Sequence, residues 1–133
     1  MANYCLDSST VIDFLRGHEN VKRNWLAAKK AGDILSICPI VNYEVIRGFR
    51  IVHASKRLQS FFDLYQDLLD LPFNMQATEK AIDIYEQIHK QVIEDNDIYI
   101  AAIAMVNNCT LVTSNVRHFS RVEGLNFVNW RSL

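Results

Sequence analysis

Three acidic residues, Asp7, Glu44 and Asp97, stand where acids are otherwise scarce. Asp7 follows the short apolar run Tyr4-Cys5-Leu6, Glu44 interrupts an apolar helical face, and Asp97 heads a segment with almost no other charge. Ser114 and Asn115 follow the run Thr110-Leu111-Val112 directly. Carboxylates brought together in this way repel unless a cation neutralises them. A ligand set of oxygens alone suits a hard ion, magnesium or manganese, rather than zinc. Such an ion makes bound water more acidic and stabilises charge on a phosphoryl group, so the implied reaction is hydrolysis of a phosphodiester. Each residue alone has a plainer explanation. Asp7, Asp97 and Asn115 lie near helix starts, where Asp and Asn cap free amides, and Glu44 has Arg47 at i+3.

The elements that must position these groups follow from the pattern of apolar residues. Tyr4-Cys5-Leu6 is a first strand that delivers Asp7 to a helix start, and residues 20–31 are helical up to the turn at Gly32-Asp33. Ile34-Leu35-Ser36-Ile37 is a second strand, and Pro39 opens a helix carrying Ile40, Val41, Val45, Ile46 and Phe49. Leu58, Phe61, Phe62, Tyr65, Leu68 and Leu69 define an amphipathic helix over 55–69. A short strand is expected around Leu71-Pro72-Phe73, then a helix from about 76 to 93 with Ala77, Ala81, Ile84, Ile88 and Val92 on one face. Residues 97–107 are apolar almost all round, as in a helix buried on several sides. Thr110-Leu111-Val112 and Asn126-Phe127-Val128 complete five strands. Strands alternating with helices predict an α/β fold in three layers, α/β/α, around a parallel sheet. In such sheets ligands gather beyond the carboxyl ends of the strands, which is where Asp7, Glu44, Asp97, Ser114 and Asn115 fall.

The 133 residues and 50% apolar content fit one domain spanning 1–133, with a buried core. A formal net charge of −1 excludes a general polycationic coat for nucleic acid, so any RNA contact has to come from a local basic patch. Cys5, Cys38 and Cys109 are far apart, form no CxxC pair, and lie in or beside apolar runs, so they read as small buried hydrophobes. There is no signal pattern and no apolar run near the ~20 residues of a membrane span, which predicts a cytoplasmic protein.

Four segments resemble the motif blocks of the PIN-domain family, and in particular its VapC-type toxins. They are LeuAspSerSerThrValIleAsp (6–13), GluValIleArgGly (44–48), AspIleTyrIleAlaAlaIleAla (97–104) and LeuValThrSerAsnValArgHisPheSerArgValGluGlyLeu (111–125). They occur in the family's order and spacing and cover nearly the whole chain. The resemblance implies a five-stranded parallel sheet between helices, endoribonuclease activity dependent on Mg2+ or Mn2+, homodimers, and a cognate VapB-type antitoxin that blocks the groove. It matches Asp7, Glu44 and Asp97 to the acidic metal site and Asn115 to the fourth catalytic position. Ser9 and Thr113 match small polar positions beside the first and fourth, and Gly48 one that allows close approach by backbone or substrate.

His118 stands where many relatives have another acid, which leaves at most three formal negative charges. One tightly held cation is expected, with a second only when RNA phosphate helps hold it. His118 itself has three open roles: a phosphate contact, a proton carrier, or simple packing before Phe119. Arg47, Arg50, Lys56, Arg57, Arg117 and Arg121 come from segments able to flank the pocket and hold RNA phosphates, or are plain surface charge.

Other folds that collect acids at strand ends fit less well. A phosphoacceptor receiver domain needs an aspartate after strand three and a lysine after strand five, where this chain has Leu71-Pro72-Phe73-Asn74 and Asn126-Phe127-Val128-Asn129-Trp130. A haloacid-dehalogenase-type phosphatase needs a second aspartate where Ser9 stands. A catalytically silent PIN-like module that only binds RNA or protein is the remaining alternative, and the presence of all three carboxylates argues against it.

Overall fold

Two parallel strands meet side by side at the centre of the sheet and set the geometry of everything around them. The computed structural model describes residues 1–88 and 93–133, so Val92 of the expected helical face lies outside the described residues. The chain runs β1 (Asn3–Leu6), α1 (Ser8–Leu15), α2 (Glu19–Lys30), β2 (Ile34–Ile37), α3 (Pro39–Ile51) and α4 (Ser55–Tyr65). It continues as β3 (Leu69–Asp70), α5 (Met75–Ile88), α6 (Asp95–Val106), β4 (Thr110–Val112), α7 (Val116–Phe119), β5 (Phe127–Val128) and a 3-10 turn, Trp130–Ser132. All pairings are parallel, in the order β3-β2-β1-β4-β5. The order reverses at β1, whose Cys5 faces Ser36 on one side and Leu111 on the other. The α/β/α layering with a five-stranded parallel sheet is thus as the sequence led us to expect. Reversal at β1 opens a crevice beyond the ends of β1 and β4.

Local sequence explains most boundaries. α3 starts on Pro39, whose missing N–H falls where a helix needs none. α2 has Glu19 in its first turn and Lys29 and Lys30 in its last, matching the helix dipole, and stops at Gly32 with φ +79°. Two expectations need correction. The helix predicted over 55–69 ends at Tyr65, and the third strand is Leu69–Asp70 rather than 71–73. Leu71 still donates from its N–H to the Ile37 carbonyl at 2.8 Å, but Pro72 has no N–H to extend the ladder. Phe62 and Leu69, placed on the apolar face of that helix, are 39% and 53% exposed.

The core is built from inward residues of the strands and the faces of α3, α5 and α6 that meet them. Cys5, Leu6, Ile37, Val41, Val45, Ile100, Ile103 and Leu111 have no exposed surface. α6 is apolar around its circumference because it packs on α3, α5 and β4 together. All three cysteines are free and buried, as expected of small hydrophobes. Among the described residues no helix is long and apolar enough to cross a membrane.

At the far side of the core, Trp25 stacks on Phe14 at 4.2 Å and Trp130 meets Tyr4 edge-on at 5.2 Å. Arg131 closes this region by donating from Nε and Nη2 to the two oxygens of Asp13, at 2.5 and 2.8 Å. Asp13 is 10% exposed at its side chain and Arg131 47%, so the pair is partly shielded from water. Arg131→Ala leaves Asp13 buried without its partner and is expected to cost about 1–3 kcal/mol. A urea midpoint unchanged from wild type would show that the pair contributes nothing.

Candidate active site

Asp7 begins where β1 ends. Its N–H still donates to the Val112 carbonyl of β4 at 2.9 Å, which ties the residue to the crevice at the sheet's reversal. The side chain caps α1 by accepting from the Ser8 N–H at 2.9 Å, so the capping role is real. Its other oxygen accepts from Thr113 Oγ1 at 2.7 Å, and Ser9 Oγ lies 3.4 Å away. Asp7 is only 4% exposed. Burial pushes its carboxyl up to about 6, against the lowering effect of Thr113 and Ser8, and the charges of Asp97 and Glu44 push it further up. Three acids widely separated in sequence therefore share one electrostatic site.

Thr113 connects the two sides of that site. Its hydroxyl donates to Asp7 while accepting from the Asn115 N–H at 2.9 Å, and it is wholly buried. Ser9 Oγ accepts from the Ser114 N–H at 3.2 Å, a second stitch between α1 and the β4–α7 loop. A third comes from Thr10, whose hydroxyl donates to the Val112 carbonyl at 2.8 Å. Thr10 had not been singled out from the sequence, because nothing local marks a bond between residues so distant in the chain.

Glu44 is half-buried on α3, one and a half turns from Pro39. Burial raises its pKa, with Asp97 adding to the rise, while hydrogen bonding from Asn96 and Ser8 and the charge of Arg47 lower it. Its Oε1 is buried with no hydrogen-bond partner among the described residues. A carboxylate oxygen held dry and unpaired is costly. Ser8 and Asn96 also escaped the sequence reading, being ordinary polar residues next to more prominent acids.

Asp97 lies in the first turn of α6, where Glu94 and not Asp97 is the cap residue. Burial raises its pKa, and His118 opposes the rise. His118 Nδ1 is 3.1 Å from Asp97 Oδ2 and 2.9 Å from Asn115 Nδ2. His118 is therefore part of the cluster rather than packing in the loop before Phe119. The ring nitrogen thus faces a carboxylate oxygen, which accepts, and an amide nitrogen, which donates, so it serves one of the two at a time according to its tautomer. Asn115 is the residue before α7 but makes no capping hydrogen bond from its side chain, whose amide nitrogen lies beside His118 Nδ1.

Gly48 is exposed, and a Cβ there would meet nothing within 4 Å, so the chain's own packing does not require glycine. Arg47, Arg50, Lys56, Arg57 and Arg117 are exposed. Arg47 lies on α3 within electrostatic reach of Glu44, and Arg117 adjoins His118 on α7, whereas Lys56 and Arg57 belong to the next helix, α4. Arg121 is half-buried, and its carbonyl accepts from Gln87 at 3.1 Å.

Comparison with known proteins places the chain in a family. The PIN domain profile matches residues 4–125. Ribonuclease VapC1 of Rickettsia felis is 31% identical, with 90% of each chain covered. Ribonuclease VapC2 of the same organism is 26% identical over 96% of this chain and 97% of the relative. Among solved structures, a chain of the Rickettsia felis VapBC2 complex bound to a DNA fragment from its promoter superposes with a TM-score of 0.85 at 25% identity, covering 96% of this chain and 98% of the other. With fold, motif order and nearly full-length similarity in agreement, this chain belongs to the PIN-domain family.

Proposed function

We propose that this chain is a metal-dependent endoribonuclease, a single PIN domain acting as the toxin of a toxin–antitoxin pair in the cytoplasm. The observation that carries the reading is the dry cluster of Asp7, Glu44 and Asp97, with their pKa values raised and the Glu44 Oε1 unpaired. Excess buried negative charge of this kind is what a cation relieves. The donor set is carboxylate oxygen throughout, which suits Mg2+ or Mn2+. Among the described residues no three His, Cys, Asp or Glu side chains already form a group that could hold an ion unaided.

Asp7, Glu44 and Asp97 are the residues to hold the ion, which when bound supplies acidity to water and positive charge to phosphoryl oxygens. Thr113 and the Ser8 N–H keep the Asp7 carboxylate in one orientation. His118, with Nδ1 beside Asp97 Oδ2, does the same for Asp97 in the tautomer that donates from that nitrogen. Outer partners of this type set ligand direction and commonly change metal affinity or activity 10- to 100-fold. Arg47, whose charge reaches Glu44, and Arg117, next to His118 on α7, are the residues to grip phosphates of the strand. Solved relatives include a toxin–antitoxin complex and a member of the VapBC family of toxin–antitoxin systems, and by that likeness a cognate antitoxin covers the groove here; a homodimer is proposed as well.

A water nucleophile has a consequence that separates this chemistry from attack by the RNA's own 2′-hydroxyl. An RNA with a single 2′-deoxy sugar at the cleaved position should still be cut in Mn2+. In heavy-oxygen water the new phosphate end should carry one solvent oxygen. Formation of a 2′,3′-cyclic phosphate, or loss of cutting at the deoxy position, would contradict the proposal.

A further inference from the structure

The solvent side of α3 carries a feature that the acidic site does not use. Tyr43, Arg47, Arg50 and Ile51 recur at i, i+4, i+7 and i+8, so they share one face. With Ile46 they line a shallow cavity of about 370 Å3. Tyr43 is 59% exposed and Ile51 69%, although both are large apolar residues that folding would normally shelter. The Arg47 guanidinium lies 4.9 Å from the centre of the Tyr43 ring. It backs one face of the ring, and so much of the ring remains in water that another face is open. Tyr43 immediately precedes Glu44, and Arg47 acts on Glu44 through its charge. Tyr43 and Arg47 thus lie within one turn of Glu44 along α3.

Charge decides what such a cavity complements. Among the described residues, the charged ones that line it are arginines, Arg47 and Arg50, and no carboxylate lines it. Its occupant combines negative charge with a flat aromatic surface. An unpaired nucleotide has both, since its base stacks on aromatic rings and guanidinium planes while its phosphate meets arginine. A paired base offers no open face, so the same cavity discriminates against duplex.

We propose that Tyr43, backed by Arg47, is a base-stacking subsite for an unpaired nucleotide next to the scissile phosphate, with Arg50 contacting the backbone beyond it. The inference rests on the ribonuclease reading and adds to it a residue that sets substrate preference.

The test uses the full chain in EDTA, which prevents cutting, and short single-stranded RNAs carrying 2-aminopurine at each position in turn. One position should be quenched on binding. Tyr43→Leu keeps an apolar side chain at an exposed site but removes the ring. It should lose that quench and bind single strands roughly 5- to 100-fold more weakly, as expected for one stacked base. Tyr43→Phe should retain both, and a duplex of the same sequence should bind wild type and Tyr43→Leu alike. Single-strand affinity unchanged in Tyr43→Leu overturns the proposal, as does an equal loss for single strand and duplex. Unchanged RNA binding with altered sedimentation would instead make this face a protein interface, and would also overturn it. If wild type binds none of the RNAs and cuts none in Mn2+, the ribonuclease reading fails as well. Cutting that Tyr43→Leu retains, with unchanged affinity, removes the subsite alone.

Discussion

Asp97→Asn is expected to slow RNA cleavage at least about 10³-fold while leaving the fold intact. The replacement has the same shape and removes one charge from the cluster proposed to hold a cation. Losing an outer partner of a metal ligand already costs 10- to 100-fold, so losing a ligand costs more. The fold is not at risk, because burial already raises the Asp97 pKa and makes its charge unfavourable in the free protein. His118 loses the carboxylate that stands 3.1 Å from its Nδ1. Circular dichroism and sedimentation should match wild type while the cleavage rate collapses. A variant within tenfold of wild type would mean that the reaction does not depend on Asp97.

Asp7→Asn should do two opposite things, inactivating the enzyme and stabilising the metal-free protein at neutral pH. The folded pKa of Asp7, about 6, lies above its ordinary value of 3.8. The native state therefore binds the proton more tightly than the unfolded chain. Stability from this group is fully present below pH ~4 and is lost as pH rises through about 6. The difference corresponds to about 3 kcal/mol of penalty above that range. Asparagine carries no charge to desolvate, but it meets the Ser8 N–H and Thr113 hydroxyl less well than a carboxylate does. The net gain at pH 8 in EDTA is then about 1–3 kcal/mol, shrinking toward zero by pH 4. Urea midpoints across this range measure it. A variant less stable than wild type at pH 8 would show that the Asp7 charge is not strained. On the proposed function this sets function against stability, since the cost of burying the Asp7 charge is one that a bound cation would relieve.

What could be read before the structure was whatever depends on local pattern. Asp7 was legible because a parallel strand ends on it, and Glu44 and Asp97 because they interrupt apolar helices. The sheet was legible because apolar runs alternate with helical periods over almost the whole chain. The third strand slipped by two residues because Leu71-Pro72-Phe73 has the apolar content of a strand, whereas the ladder depends on N–H groups that Pro72 lacks. α7 has only four residues, too few to show a helical period.

Contacts between distant segments were not legible at all. The bond from Thr113 to Asp7 spans 106 positions, and that from His118 to Asp97 spans 21. In both cases the partner is chosen by strand register and helix direction, not by spacing. Ser8 and Asn96 were overlooked for a related reason, since their link to Glu44 exists only once α1, α3 and α6 converge. Tyr43 carried no signal either, because helical periodicity alone does not say that a tyrosine stays in water with an arginine against its ring.

The most direct test of the central claim is cleavage of defined RNAs by purified protein in Mn2+ and in EDTA, with Asp97→Asn prepared in parallel. Cutting by wild type in Mn2+, abolished by EDTA and absent from the variant, is the predicted result. Cutting that persists in EDTA, or that the variant matches, would contradict metal-dependent hydrolysis at this acidic cluster.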